Sequence, residues 1–134
     1  MKGLDCEIQY PDLSSDERGR LLLQDAKRTV SEFSWPAYAA TYQKMKEEGR
    51  DCTPPRVVFF DGDDQLMVRS LEGGTFDTHI TLQHKYCFLG LELTRNRDLD
   101  IDRLTFPQLS ELLAAFFAED HQRVRQLASE AQAG

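Results

Sequence analysis

Residues 57–71 read VVFFDGDDQLMVRSL, and this stretch decides the fold class. The four apolar residues from Val57 to Phe60 form a short run that is typical of a buried strand. Asp61-Gly62-Asp63-Asp64 is a turn signal, because glycine adopts the backbone conformations that tight turns require. Gln65 to Leu71 then returns as the partner strand. The stretch therefore predicts an antiparallel β-hairpin in the middle of the chain.

Further strands are predicted on both sides of this hairpin. Upstream, apolar and polar residues alternate from Leu4 to Tyr10, which indicates a half-buried strand. Downstream, residues 78–84 and 86–94 read as two more strands, separated from the central hairpin by a turn at residues 72–74. In the second of them we expect one face to hold Cys87, Leu89, Leu91 and Leu93.

Helices are predicted at three places by their start signals. Ser14 and Glu17 have the spacing of a capping box, which predicts a helix from residue 14 to about residue 33. Ser34-Trp35-Pro36 starts a second helix that runs to Gly49. Thr105 and Pro107 start a last helix with a wide apolar stripe, and Asp120 is a point where it restarts.

The predicted element order is β-α-α-β-β-β-β-α. Short turns between the middle strands make them antiparallel neighbours. The sequence thus predicts an α+β fold, in which a four- or five-stranded antiparallel sheet carries helices packed on one face. With 134 residues the chain has the length of a single globular domain, 1–134.

The formal net charge is −7, which disfavours nucleic acid as a partner and suits a protein with a basic surface. Most of the excess lies in residues 51–104, where ten acidic residues face six basic ones. We find no signal peptide and no apolar run long enough to span a membrane. Three cysteines without a paired spacing are typical of reduced thiols, so we expect a cytoplasmic protein.

Recognised metal, cofactor and catalytic motifs are missing from the sequence. Asp61, Asp63 and Asp64 could bind a hard cation, but hairpin chemistry explains this turn and the spacing is not that of an EF-hand. His79 and His84 point to opposite faces of a regular strand, which is poor for shared metal ligation. Cys87 with a nearby histidine is the one candidate nucleophile pair, and Cys87 is predicted to be a core residue. We therefore expect no cofactor and no bound metal.

Two sets of residues are candidates for binding a partner. Asp98, Asp100 and Asp102 alternate within a polar stretch, 95–103, that we predict to be a loop; in an extended backbone they would share one face. The alternative is a solvated edge neutralised by Arg95, Arg97 and Arg103. The second set consists of amphipathic aromatic residues, which are enriched in binding hot spots but also fill cores. These are Trp35, Tyr38 and Tyr42.

These observations favour a non-enzymatic protein-binding domain, such as a bacterial immunity protein, an inhibitor, a small adaptor or a secretion chaperone. The alternative is a small enzyme or ligand-binding domain whose site is assembled from residues distant in sequence. A binder should show an exposed aromatic or acidic patch, whereas an enzyme should show a polar cleft with converging titratable groups. Association into a homodimer is also compatible with the wide apolar stripe of the last helix, at Phe117.

Overall fold

The structure, a computed structural model, describes residues 2–70 and 74–133. These residues form a six-stranded antiparallel sheet and four helices, which confirms the α+β class and adds strands to the four or five predicted. The elements are β1 (Leu4–Gln9), β2 (Ser15–Leu21), α1 (Leu23–Glu32), α2 (Trp35–Glu47), β3 (Arg56–Asp61), β4 (Asp64–Arg69), β5 (Phe76–Phe88), β6 (Leu91–Leu104), α3 (Phe106–Phe117) and α4 (His121–Ala133).

The strand order in the sheet is β2-β1-β3-β4-β5-β6, and all neighbours run antiparallel. The central hairpin is the predicted one: Val57 pairs with Val68, and Asp61 pairs with Asp64 across the turn. Gly62 takes a φ of 60°, the left-handed conformation that favours glycine at this position. The turn predicted at residues 72–74 lies mostly outside the described residues.

Strand β2 replaces the first part of a predicted helix. The helix predicted from residue 14 begins only at Leu23, and the preceding residues pair with β1 from Ser15↔Gln9 to Leu21↔Leu4. Residues 14–20 contain no large apolar side chain, and Gly19 has a φ of 74°, which an α-helix does not accommodate. The apparent capping box therefore lies in an edge strand, and the sheet gains a strand there.

The helices pack on one face of the sheet, as predicted. Side chains from α1, α3 and α4 form a single buried cluster with the inward residues of the strands. Thr105 and Gln108 form a reciprocal capping box at the start of α3, which confirms the predicted helix start. Phe117 is buried and meets Phe59 edge-to-face at 5.8 Å between ring centroids, so it offers no apolar surface to a second copy.

The opposite face of the sheet, called the open face below, is lined by polar and half-buried side chains. Glu7, Met67, His79 and Asp100 lie on it, since their neighbours along each strand point into the helix-side core. Antiparallel sheets commonly have one packed and one solvated face. None of the helices in the described segments is long and apolar enough to cross a bilayer.

Candidate functional site

The β5–β6 hairpin extends well beyond the rest of the sheet. β5 has 13 residues and β6 has 14, whereas β4 has 6 and its pairing with β5 ends at Gln65↔Thr81. At that point the backbone N–H of Gln83 donates to Asp64 Oδ1 at 2.7 Å and so ends the ladder with a side-chain bond. From Gln83 to Phe88 the strand β5 pairs with β6 alone among the described strands. A paired ribbon about 20 Å long therefore projects from the sheet.

The hairpin turns at Leu89-Gly90, within a segment that was predicted to be one continuous strand. Both residues have positive φ, 51° and 77°, as a two-residue type I′ turn requires. The turn reverses the chain, so the expectation that Cys87, Leu89, Leu91 and Leu93 share a face is wrong. Cys87 is exposed and pairs with Glu92, so it is not the core residue that the sequence predicted.

An apolar patch covers the end of the hairpin on its helix side. Tyr86 pairs with Leu93 and Phe88 pairs with Leu91, and both pairs lie on the same side of the ribbon as buried Leu82. Four of the six exposed large hydrophobic residues in the described chain lie in this segment. They are Tyr86 (40% exposed), Phe88 (60%), Leu89 (86%) and Leu91 (64%), called the tip patch below.

A cleft of about 660 Å³ lies between the base of the hairpin and α4. Arg95 and Arg97 lie on one face of β6, since residues two apart on a strand point the same way. His121 and Arg125 line the cleft from α4, one helical turn apart. The lining residues, called the arginine cleft below, are Leu82, Gln83, His84, Arg95, Asn96, Arg97, Asp98, His121 and Arg125.

The arginine cleft is positively charged although the protein is acidic. Arg95, Arg97 and Arg125 form no side-chain hydrogen bond or ion pair with the residues that the structure describes. Asp98 is the one acid in the described lining, and its carboxylate lies on the open face, where it accepts a 2.9 Å bond from the Thr81 hydroxyl. The His121 ring is held by Asp64, with 3.1 Å between Nε2 and Oδ2. Three guanidinium groups are thus available to an anion.

The predicted acidic residues lie on the open face of the same hairpin. The expectation of a loop at 95–103 is wrong, because this segment belongs to β6. Asp98, Asp100 and Asp102 are exposed and alternate with inward residues, so they do share a face. Asp100 Oδ1 lies 2.6 Å from His79 Nδ1, and Asp98 Oδ1 lies 3.5 Å from His79 Nε2. Asp98 and Asp100 are therefore paired with His79 on β5. Arg95 and Arg97 point to the other side of the hairpin.

The predicted aromatic set is divided between core and surface. Trp35 is only 5% exposed, and its indole N–H donates to the carbonyl of Val30 at 2.8 Å. Tyr38 is half-buried and stacks on Phe33, with ring centroids 4.9 Å apart. Tyr42 is half-buried, with Lys46 Nζ 5.9 Å from its ring centroid. Trp35 therefore serves the core, and only the two tyrosines present an edge to solvent.

The candidate metal and nucleophile residues are engaged in structural contacts or separated. Lys2 Nζ donates to Asp61 at 3.0 Å, and Asp64 holds Gln83 and His121. Over residues 2–70 and 74–133, no group of three or more His, Cys, Asp or Glu is arranged to hold a metal ion. His84 and Cys87 are three residues apart on β5 and so point to opposite faces. Their side chains do not form a nucleophile–base pair.

Comparison of the chain with protein-family models, with curated proteins and with solved structures returned no match in any of the three. Sequence reasoning missed the tip patch and the arginine cleft. A glycine inside an alternating apolar run was the available signal for the turn at Gly90. The approach of Arg125 to Arg95 and Arg97 depends on tertiary packing, which no local pattern contains.

Proposed function

We propose that this protein is a non-enzymatic protein-binding domain that docks through the β5–β6 hairpin. The observation that carries the proposal is the tip patch: Phe88, Leu89 and Leu91 are each at least 60% exposed at the end of a projecting ribbon. Contiguous exposed apolar groups of this kind mark interaction sites, whereas single exposed apolar residues are ordinary. An aromatic residue among them supplies the type of anchor that dominates binding energies.

Leu89 adds a second reason, because the fold itself gains little from it. The residue combines 86% exposure with a φ of 51°, a conformation that asparagine or glycine adopts at lower cost. Burying a leucine side chain contributes about 1.5–3 kcal/mol. In the isolated protein that free energy is not gained, whereas contact with a partner would provide it.

The acidic open face of the β5–β6 hairpin is the alternative docking surface. Asp98, Asp100 and Asp102 are exposed together, so a basic partner would be steered to them. That assignment stays a prediction, as does the role of an immunity protein, inhibitor or adaptor. Tyr38 and Tyr42, both half-buried, are the remaining candidates of the predicted aromatic set.

A second candidate function is the binding of an anionic ligand, which the arginine cleft favours. The cleft volume of about 660 Å³ lies within the range of roughly 300–1,000 Å³ that ligand sites occupy. His84 and His121 converge there with the three arginines. This is the polar cleft expected of the ligand-binding alternative.

The proposal is tested by capturing partners from an extract of the source cells with three forms of the protein. Phe88→Ser with Leu91→Ser removes two of the four apolar side chains of the tip patch and leaves the turn residues Leu89 and Gly90 unchanged. Leu13→Ser with Leu22→Ser is the matched control, since it removes two exposed leucines elsewhere (60% and 41%). We expect one partner to be retained by the wild type and the control and lost with the tip variant. Equal retention by all three folded proteins would contradict the proposal.

A further inference from the structure

We infer that the arginine cleft binds an acidic peptide segment of the partner protein, with the guanidinium groups of Arg95, Arg97 and Arg125 holding its carboxylates. The inference rests on the proposed function and deepens it, because it names the chemistry of the partner. The net charge of −7 suggests a basic partner, whereas the cleft would bind an acidic segment.

The spacing of the arginines fits an extended chain. Arg95 and Arg97 are two residues apart on one strand face, which separates their backbone positions by about 7 Å. Alternate side chains of an extended peptide repeat at the same distance, so carboxylates at alternate positions can meet both. Arg125 lies across the cleft on α4 and can hold the segment from its other side.

Among residues 2–70 and 74–133 the three arginines have no acidic partner, although the protein has acids in excess. The chain contains 23 acidic and 16 basic residues, yet three arginines and one aspartate line this cleft. Arg95 and Arg97 repel one another, and the described residues give neither an ion pair. Guanidinium groups bind carboxylates through two parallel hydrogen bonds. A peptide carboxylate would therefore offset the repulsion between the arginines and accept their hydrogen bonds.

The cleft and the tip patch form one continuous surface on the helix side of the hairpin. Along β6 this face passes from Arg97 and Arg95 to Leu93 and Leu91. On β5, His84 stacks on Tyr86 with an interplanar angle of 10° and 6.3 Å between ring centroids. The surface therefore suits a segment in which acidic residues are adjacent to an apolar anchor.

Other anionic partners fit this surface less well. A bilayer is flat and cannot enter a concave cleft between a ribbon and a helix. A nucleic acid backbone would be repelled by the net charge of −7 and by Asp98 and Asp100 on the open face of the same hairpin. The cavity of about 660 Å³ is also far larger than a single phosphate needs.

The test is a selection from a display library of random peptides on the immobilised full chain. The selected peptides are then synthesised with a fluorophore, and their affinities are measured by anisotropy at low salt. The cleft variant is Arg95→Gln/Arg97→Gln/Arg125→Gln. The control variant, Arg20→Gln/Arg28→Gln/Arg50→Gln, removes the same charge from side chains that are 73%, 65% and 61% exposed. Circular dichroism establishes that both variants fold.

We expect the selected peptides to be enriched in Asp and Glu beside an apolar residue. Their affinity should fall at least about tenfold in the cleft variant and change by less than about twofold in the control. Peptides without acidic enrichment, or equal losses in both variants, would overturn the inference. It would also be overturned if a single-stranded oligonucleotide, phosphatidylserine vesicles or inorganic phosphate displaced the peptide from the cleft at lower concentration.

The tip variant Phe88→Ser/Leu91→Ser separates the two proposals. Peptides that depend on the tip patch and ignore the arginines would overturn the inference about the cleft while supporting docking through the hairpin. Peptides that bind all variants equally would overturn both. Peptides that need both the arginines and the tip patch support both.

Discussion

Two exposed leucines in this protein have backbone conformations that leucine rarely adopts. Leu89 has a φ of 51° at the hairpin turn, and Leu13 has a φ of 71° where the chain bends between β1 and β2. Each is at least 60% exposed. At both positions the left-handed conformation is a cost to the fold. The two sites differ in their surroundings, because only Leu89 belongs to a patch of exposed apolar residues.

We predict that Leu89→Asn stabilises the protein by up to about 1 kcal/mol, because Asn-Gly is preferred in a type I′ turn. Urea titration measures the gain, and partner capture should decrease in the same variant. Leu13→Asn is the control: it should give a similar gain in stability and leave capture unchanged. A loss of stability in Leu89→Asn would show that the leucine packs within the protein and contradict its assignment to docking.

Cys6 gives a pH dependence that can be assigned to one side chain. Its burial in the core raises the pKa of the thiol from 9.0 to about 12. Between pH 9 and pH 12 the unfolded chain therefore ionises this thiol while the folded protein keeps it neutral. The free energy of unfolding should fall across that window by up to about 1.4 kcal/mol per pH unit from this group.

The measurement is chemical denaturation of the wild type and of Cys6→Ala between about pH 7 and about pH 11, which brackets ionisation of the unfolded thiol near its ordinary pKa. We expect a shallower decline in the variant, since other groups that titrate in this range are common to both proteins. At about pH 7, where the thiol is protonated in both the folded and the unfolded chain, the two slopes should coincide. Identical slopes above pH 9 would show that the thiol is accessible to solvent in the folded state.

Helix α3 is the element on which the core depends most. Leu109, Leu113 and Phe116 are at most 1% exposed, and they face the strands through the stripe that the sequence shows. We predict that Leu113→Ala and Phe116→Ala each lower the free energy of unfolding by about 2–5 kcal/mol, through lost burial and an unfilled cavity. Glu111→Ala on the exposed side of α3 should cost less than about 1 kcal/mol. A loss that small at Leu113 would place the stripe outside the core.

The elements differ in how far the sequence could predict them. The β3–β4 hairpin and α3 were predicted because turn chemistry, capping and apolar spacing agree there, as at Gly62 and Thr105. β2 was not predicted because Ser14 and Glu17 have the spacing of a capping box, which is typical of a helix start. Gly19 and the lack of an apolar stripe in residues 14–20 argue against a helix there. As an edge strand, β2 is specified by its pairing with β1, which is a tertiary property.

The candidate site was predicted only in part for the same kind of reason. The alternation of Asp98, Asp100 and Asp102 correctly indicated a shared face, although the backbone was expected to be a loop. The turn at Leu89-Gly90 was hidden by a run of alternating leucines, so Cys87 and Leu91 were predicted on one face, whereas they lie on opposite faces. The arginine cleft joins residues from β5, β6 and α4, so predicting it requires the position of α4 relative to the hairpin.

The whole protein presents two surfaces of opposite charge on the two sides of the β5–β6 hairpin. The helix side carries Arg95, Arg97 and Arg125 beside the tip patch, whereas the open face carries Asp98, Asp100 and Asp102. A partner steered by charge approaches one of these sides. The sign of the effect of each set on the association rate therefore identifies which side docks.

We predict that the cleft variant Arg95→Gln/Arg97→Gln/Arg125→Gln slows association with the captured partner by at least about tenfold at low ionic strength, because long-range attraction acts mainly on the association rate. The triple change Asp98→Asn/Asp100→Asn/Asp102→Asn should leave the rate unchanged or raise it, since it removes repulsion from an acidic segment. Stopped-flow or surface-based kinetics in low and high salt measures both, and the differences should shrink as salt screens the charges. If the partner is instead basic and docks on the open face, the aspartate variant is the slow one and the arginine variant is not. That result would assign docking to the open face of the hairpin instead.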